Sequence, residues 1–77
     1  MNINVGNLSF HTSDDELREL FSEFGTITSA KVAIDSGTNR SRGFGFVEMP
    51  DDREAKAAIS ALNGVEINGR KVRVNEA

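Results

Sequence analysis

The chain has no cysteine, no tryptophan and no tyrosine, and only one proline and one histidine among its 77 residues. Without cysteine, neither a disulfide nor a thiolate metal site can hold the fold, and nothing calls for an oxidising compartment. The single histidine, His11, stands in a polar stretch with Ser9 and Ser13 nearby. Ser13 has another use as a helix cap, so a nucleophile, a base and an orienting acid are not assembled, and no enzymatic activity or catalytic residue is expected. Asp14-Asp15 and Asp51-Asp52 open helices, where the positive end of the macrodipole favours acids, so they imply no cation site. No metal and no cofactor are expected. Long apolar runs are also missing, which excludes a membrane-spanning helix and a membrane partner. Strand patterning begins at Asn2, leaving no room for a signal peptide, and the expected placement is soluble and cytoplasmic. A chain of this length makes one small domain, residues 1–77, with no space for a second.

Excess positive charge is lacking too. The net charge is −3, which by itself argues against a nucleic-acid binder. Its distribution says something different. The helices expected over 13–24 and 51–62 hold eight acids and three bases, a net −5, and the rest of the chain holds four acids and six bases, a net +2. The bases outside the helices are Lys31, Arg40, Arg42, Arg70, Lys71 and Arg73. Positive charge therefore travels with the strands and loops.

Along the chain, residues 2–6 alternate polar and apolar, with Ile3 and Val5 facing a core and Asn2 and Asn4 facing out. A loop follows over 7–12. Ser13 with Glu16 reads as a capping box, and Leu17, Leu20, Phe21 and Phe24 fall on one helical stripe. Gly25 is expected to end this helix in the left-handed conformation. A second strand runs over 27–34, with Ala30, Val32 and Ile34 inward and Ser29, Lys31 and Ala33 outward. A polar loop, 35–41, leads to the stretch 42–49, and Asn39 in it tolerates a left-handed backbone. Asp51 caps a second helix, with Glu54 three residues on and Ala55, Ala58, Ile59 and Leu62 as its buried stripe. Asn68-Gly69 marks a two-residue hairpin. The last strand runs to about Asn75, with Val72 and Val74 inward and Lys71, Arg73 and Asn75 outward. Strand, helix, strand, strand, helix, strand is an α+β order. It is the ferredoxin-like βαββαβ arrangement, in which right-handed crossovers place both helices on one face of a four-stranded antiparallel sheet.

Two helices cover one face of such a sheet and leave nothing for the other. In Arg42-Gly43-Phe44-Gly45-Phe46-Val47-Glu48-Met49, side chains alternate between faces. Gly45, Val47 and Met49 point to the core, while Phe44, Phe46 and Glu48 point to the open face. The open face otherwise carries Asn4, Lys31, Ala33, Lys71, Arg73 and Asn75, as a wet surface should. Two adjacent phenylalanines on a polar face call for a partner. Gly43-Phe44-Gly45 is not a dinucleotide loop, because it lies within a strand and no helix follows it as that motif requires.

The octet 42–49 resembles the signature of the RNA-recognition motif family at seven of its eight positions. Ile3-Asn4-Val5-Gly6-Asn7-Leu8 resembles the family's hexamer, and the likeness extends from Asn2 to Ala77. The opening residues, with Gly6-Asn7-Leu8-Ser9-Phe10, are most similar to short single-domain bacterial members. The resemblance implies binding of single-stranded RNA, with bases stacked on Phe44 and Phe46. It also implies a phosphate or backbone contact from Arg42 and main-chain contact to a base from Asn75 to Ala77. Lys31, Arg73, Asn75 and Asn4 would read or position bases, Arg40 would act as a clamp, and Glu48 would accept from a base amino group.

The sequence departs from the family at Asn4, where a third stacking aromatic usually stands, and at Met49, a core-facing position where the family has an aromatic. Asparagine offers a base edge a hydrogen bond but no π face, so weaker binding or an altered base preference is expected. Single-stranded DNA is an alternative ligand, because only a 2′-hydroxyl contact separates it from RNA. The rival reading gives the same aromatic face to a protein partner or to self-association.

Overall fold

The computed structural model describes all 77 residues. Its elements are β1 (Asn2–Gly6), α1 (Asp14–Ser22), β2 (Ser29–Ile34), β3 (Ser41–Glu48), α2 (Asp52–Leu62), β4 (Glu66–Ile67), β5 (Arg70–Lys71) and β6 (Arg73–Glu76). β2, β3, β1 and β6 form one antiparallel sheet in that spatial order, and β4 and β5 make a separate two-stranded ribbon. This is the ferredoxin-like arrangement that the pattern implies.

Local chemistry sets the helix starts. The Ser13 hydroxyl accepts from the Glu16 amide at 3.1 Å, and the Asp51 carboxylate accepts from the Arg53 and Glu54 amides at 2.9 and 3.1 Å. These satisfy donors that the first helical turn leaves without partners. Glu16 of the expected capping box, and Glu54 in the first turn of α2, serve as tethers instead. Glu16 Oε2 accepts from Asn68 Nδ2 at 3.0 Å, and Glu54 Oε1 accepts from the Thr26 amide at 3.2 Å. One ties the ribbon to α1; the other ties the α1–β2 connection to α2.

Both apolar stripes pack on one face of the sheet. Leu17 and Phe21 of α1 and Ala55, Ala58 and Leu62 of α2 join Ile3, Val5, Ala30, Val32, Val47, Met49, Val72 and Val74 in one buried cluster. Leu20, Phe24 and Ile59 pack partly buried at its margin. Met49 is fully buried, so a flexible thioether fills the space of an aromatic. Gly45 is the tight point. A Cβ there would stand 2.5 Å from the Lys31 carbonyl oxygen and 3.2 Å from Leu17 Cδ2, so β3 needs glycine here for β2 to lie alongside and for Leu17 of α1 to sit close. The hairpin reading also holds: Asn68 and Gly69 have φ of +51° and +84°, the signs a type I′ turn needs. Asn39 takes the left-handed backbone, at φ +60°.

Three expectations are corrected. Lys71 is not on the open face of the last sheet strand, because it pairs with Glu66 in the β4–β5 ribbon and the sheet strand begins at Arg73. α1 ends at Ser22 with Glu23 as its cap, and the Phe24 amide bonds the Phe21 carbonyl at 3.0 Å. Gly25 therefore does not supply a left-handed cap; at φ +155° it lets the chain run against Glu54, whose carboxyl a Cβ would strike. Ile34 does not face the core. The ladder pairs Val32 with Gly45 but Ile34 with Ser41, so β3 spends four steps where β2 spends two. This bulge, with Gly43 at φ +81°, breaks the alternation, and Ile34 is 50% exposed at the sheet's rim.

Candidate nucleic-acid interface

The face of the sheet away from the helices is uncovered. Phe46 stands on it near the middle, 49% exposed, and Phe44 two residues away is 39% exposed. β3 and β1 are the two inner strands, so their outward side chains occupy the centre of the face. Strand register then builds a row across it. Phe46 is paired with Lys31 on one side and Asn4 on the other, and Asn4 with Asn75. Neighbouring strands lie about 4.8 Å apart, so this row sets an ammonium, a phenyl ring and two carboxamides side by side.

The adjoining row holds Ser29, Glu48 and Asn2, and the Ala77 amide donates to the Asn2 carbonyl at 2.8 Å. A shallow hollow of about 280 Å³ lies here, with Asn4, Phe46, Glu48 and Ala77 in its wall. The Glu48 carboxylate accepts from the Thr28 hydroxyl at 3.0 Å, which fixes its direction and leaves it further acceptor capacity. The Ala77 N–H is already spent on β1, so any main-chain contact from this residue runs through its carbonyl.

On the other side of Phe46, the Arg42 guanidinium carbon lies 5.4 Å from the centre of the Phe44 ring. That is a cation–π contact, worth about 0.5–1 kcal/mol at an exposed site. Arg73 is paired with Gly6 on β1, whose lack of a side chain leaves the surface low beside it. Arg40 is not on the sheet. It belongs to the β2–β3 loop, which the Asp35 carboxylate closes by accepting from the Gly37 and Thr38 amides at 2.8 and 3.3 Å.

The only ion pair within 4.0 Å joins the Met1 amino group to Asp52. Lys31, Arg40, Arg42 and Arg73 are therefore held by no carboxylate, and their charge is available to an anion. Eight of the twelve acids lie on the two helices or their caps, on the far side of the sheet.

The structure thus gathers Lys31, Phe46, Asn4 and Asn75 in one row, Glu48 and Ala77 in the next, and Arg42 with Phe44 as a stacked pair, and it sets Arg40 apart at the edge. Sequence reasoning missed Phe10, the most exposed large apolar side chain at 65%. It lies in a loop, where periodicity carries no information. The available signal was a phenylalanine between Ser9 and His11 in an otherwise polar turn.

No helix is long and apolar enough to cross a membrane. The profile of the RNA recognition motif family matches residues 3–73. The chain is 52% identical over 73 residues to glycine-rich RNA-binding protein 2, mitochondrial, of Arabidopsis thaliana, covering 95% of this chain and 46% of that protein. It is 47% identical over 77 residues to RbpB of Nostoc sp., covering 100% of this chain and 75% of that one. The likeness to bacterial proteins is therefore present and is not confined to them. The chain spans about half the length of the plant relatives it matches. The crystal structure of the RNA binding protein PG1 superposes with a TM-score of 0.97 at 49% identity, covering 100% of this chain and 93% of that one. The chain belongs to the RNA recognition motif family, a family of binding domains rather than enzymes.

Proposed function

We propose that residues 1–77 act as one unit that binds a short stretch of single-stranded RNA across the open sheet face. The observation that carries this reading is Phe46, a half-exposed ring at the middle of the sheet with Lys31 and Asn4 as its register partners. A base stacked on it would have a carboxamide at one edge and an ammonium at the other. The relatives support the same reading: the Arabidopsis protein and PG1 are both named as RNA-binding proteins. Phe44 offers a second platform about 7 Å along β3. Arg42 leaves that ring for a phosphate, at the small cost of the exposed cation–π contact. Lys31 and Arg73 supply the other backbone contacts, Asn4 and Asn75 address base edges, and Glu48 accepts from a base amino group. The protein works in solution, in the cytoplasm, without catalysis. Single-stranded DNA of the same sequence competes wherever stacking dominates, and a 2′-hydroxyl contact sets RNA ahead.

The test is the salt dependence of binding. Three phosphate contacts at about 0.7 released counterions each give a log–log slope near −2 for a single strand. A much steeper slope would mean that the basic surface lies elsewhere; no measurable RNA affinity at low salt would sink the reading.

Asn4 offers a gain-of-function check. It is paired with Phe46 across β1 and β3 and is exposed, so Asn4→Tyr adds a third ring to the row without disturbing the core. Affinity for short RNA should rise roughly fivefold or more, the lower end of one stacking contact. Unchanged affinity would show that no base reaches this position.

A further inference from the structure

The pair Asn-Gly occurs twice in the chain, at Asn63-Gly64 and at Asn68-Gly69. The carboxamide carbon of an asparagine is an electrophile, and a following glycine has no side chain to keep its amide nitrogen away from that carbon. The other asparagines each precede a residue with a side chain. We propose that Asn68, and not Asn63, is a site of spontaneous deamidation, and that the change turns a tether between the β4–β5 ribbon and α1 into a repulsion. The reaction needs only water. The Gly69 nitrogen attacks Asn68 Cγ and gives up its proton, the bond from Cγ to Nδ2 breaks, and that nitrogen leaves as ammonia. Water then opens the five-membered imide, to aspartate at one carbonyl or to isoaspartate at the other.

The two pairs differ in what holds their reacting atoms. The Gly64 amide donates to the Val72 carbonyl at 2.8 Å, and the Asn63 side-chain oxygen accepts from the Val74 amide at 3.1 Å. Nucleophile and carboxamide are both engaged there, and attack would break the join between the end of α2 and β6. The Gly69 amide donates to nothing. Asn68 and Gly69 are exposed at the tip of the hairpin, which two residues on each side close, Glu66–Ile67 and Arg70–Lys71. So short a ribbon opens locally, well below the free energy of global unfolding. The bonds that Asn68 makes run from Nδ2, the departing nitrogen, and leave Cγ open to Gly69.

The consequence follows from those two bonds. Nδ2 donates to Thr12 Oγ1 at 3.1 Å and to Glu16 Oε2 at 3.0 Å. A carboxylate in its place has no proton to donate. The Thr12 hydroxyl can turn and donate to it, but Glu16 cannot, and two carboxylates then stand where one hydrogen bond stood. The ribbon keeps its other anchor, where Asn7 donates to the Lys71 carbonyl at 2.7 Å and accepts from Arg70 at 2.6 Å. It therefore loosens from α1 while staying attached beside β1.

The experiment incubates the wild-type chain in warm, mildly alkaline buffer, once folded and once in urea, and maps the products by mass spectrometry. Both asparagines fall on one tryptic peptide, residues 57–70, and its fragment ions separate them. In urea the two should convert at similar rates, because both precede glycine. In the folded chain Asn68 should convert severalfold faster than Asn63. Asn63 converting as fast, or Asn68 protected as fully as Asn63, overturns the assignment. A second arm reads the consequence. Asn68→Asp should melt roughly 5 °C lower than wild type, the loss of one hydrogen bond in a domain of this size. Adding Glu16→Gln should restore most of that loss, because the glutamine amide donates to the new carboxylate. An unchanged Tm for Asn68→Asp, or no recovery with Glu16→Gln, would overturn the tether's conversion into a repulsion.

Discussion

Phe46→Ala weakens binding of a short single-stranded RNA roughly 5- to 150-fold, the consequence of losing about 1–3 kcal/mol of base stacking. The fold survives the change. The ring is 49% exposed and belongs to the face that no helix covers, so its removal costs only the strand preference of an aromatic over alanine, about 1 kcal/mol at most. For a domain of this size that is a fall of a few degrees in Tm. Phe44→Ala has the same sign and a smaller effect, because a base stacking on that ring must first displace the Arg42 contact, which offsets part of the gain. The measurement is a pair of numbers for each variant, Kd by fluorescence anisotropy and Tm by circular dichroism. If Phe46→Ala unfolds the chain, the ring is a core residue and the open-face account is wrong.

The same substitution on the other side of the sheet has the opposite outcome. Phe21→Ala removes a ring that is 1% exposed, between α1 and the inward face of the strands. Emptying such a site costs about 3–5 kcal/mol. A domain of 77 residues holds only about 4–12 kcal/mol in total, so the variant sits close to its unfolding limit and melts at least about 12 °C lower. Its RNA affinity, measured at a temperature where it remains folded, should match wild type. Stability near wild type would mean that α1 collapses into the gap or that the core lies elsewhere. Together the two variants separate what holds the sheet from what the sheet holds out.

Much of this was legible beforehand, for identifiable reasons. The inward set Ile3, Val5, Val47, Met49, Val72 and Val74 follows from a period of two, which one buried face enforces strictly. The helix starts follow from Ser13 and Asp51, whose side chains have few other uses at those positions. Phe44 and Phe46 could be placed on the open face because two helices have only one sheet face to cover. What sequence could not supply is where a period breaks. Ile34 continues the apolar alternation of Ala30 and Val32, and only the extra residues on β3 turn it out to the rim. The end of α1 was misread because Gly25 is a common stop signal; here it serves close passage past Glu54. The tethers from Glu16 to Asn68 and from Glu54 to Thr26 join residues far apart in sequence, and no local pattern announces them. Phe10 was hidden for a different reason: it lies in a loop, where no period applies and its environment is set by the meeting of two loops.

The central claim is that the uncovered sheet face is an RNA site. Its most direct test is an amide-shift titration of the isotope-labelled protein with a pool of short random RNA at low salt. The account predicts that shifts concentrate at Lys31, Phe44, Phe46 and residues 75–77, while the amides of α1 and α2 stay still. Shifts confined to the helices, or no shift at millimolar RNA, would contradict it and would give the aromatic face to a protein partner or to a second copy of the chain.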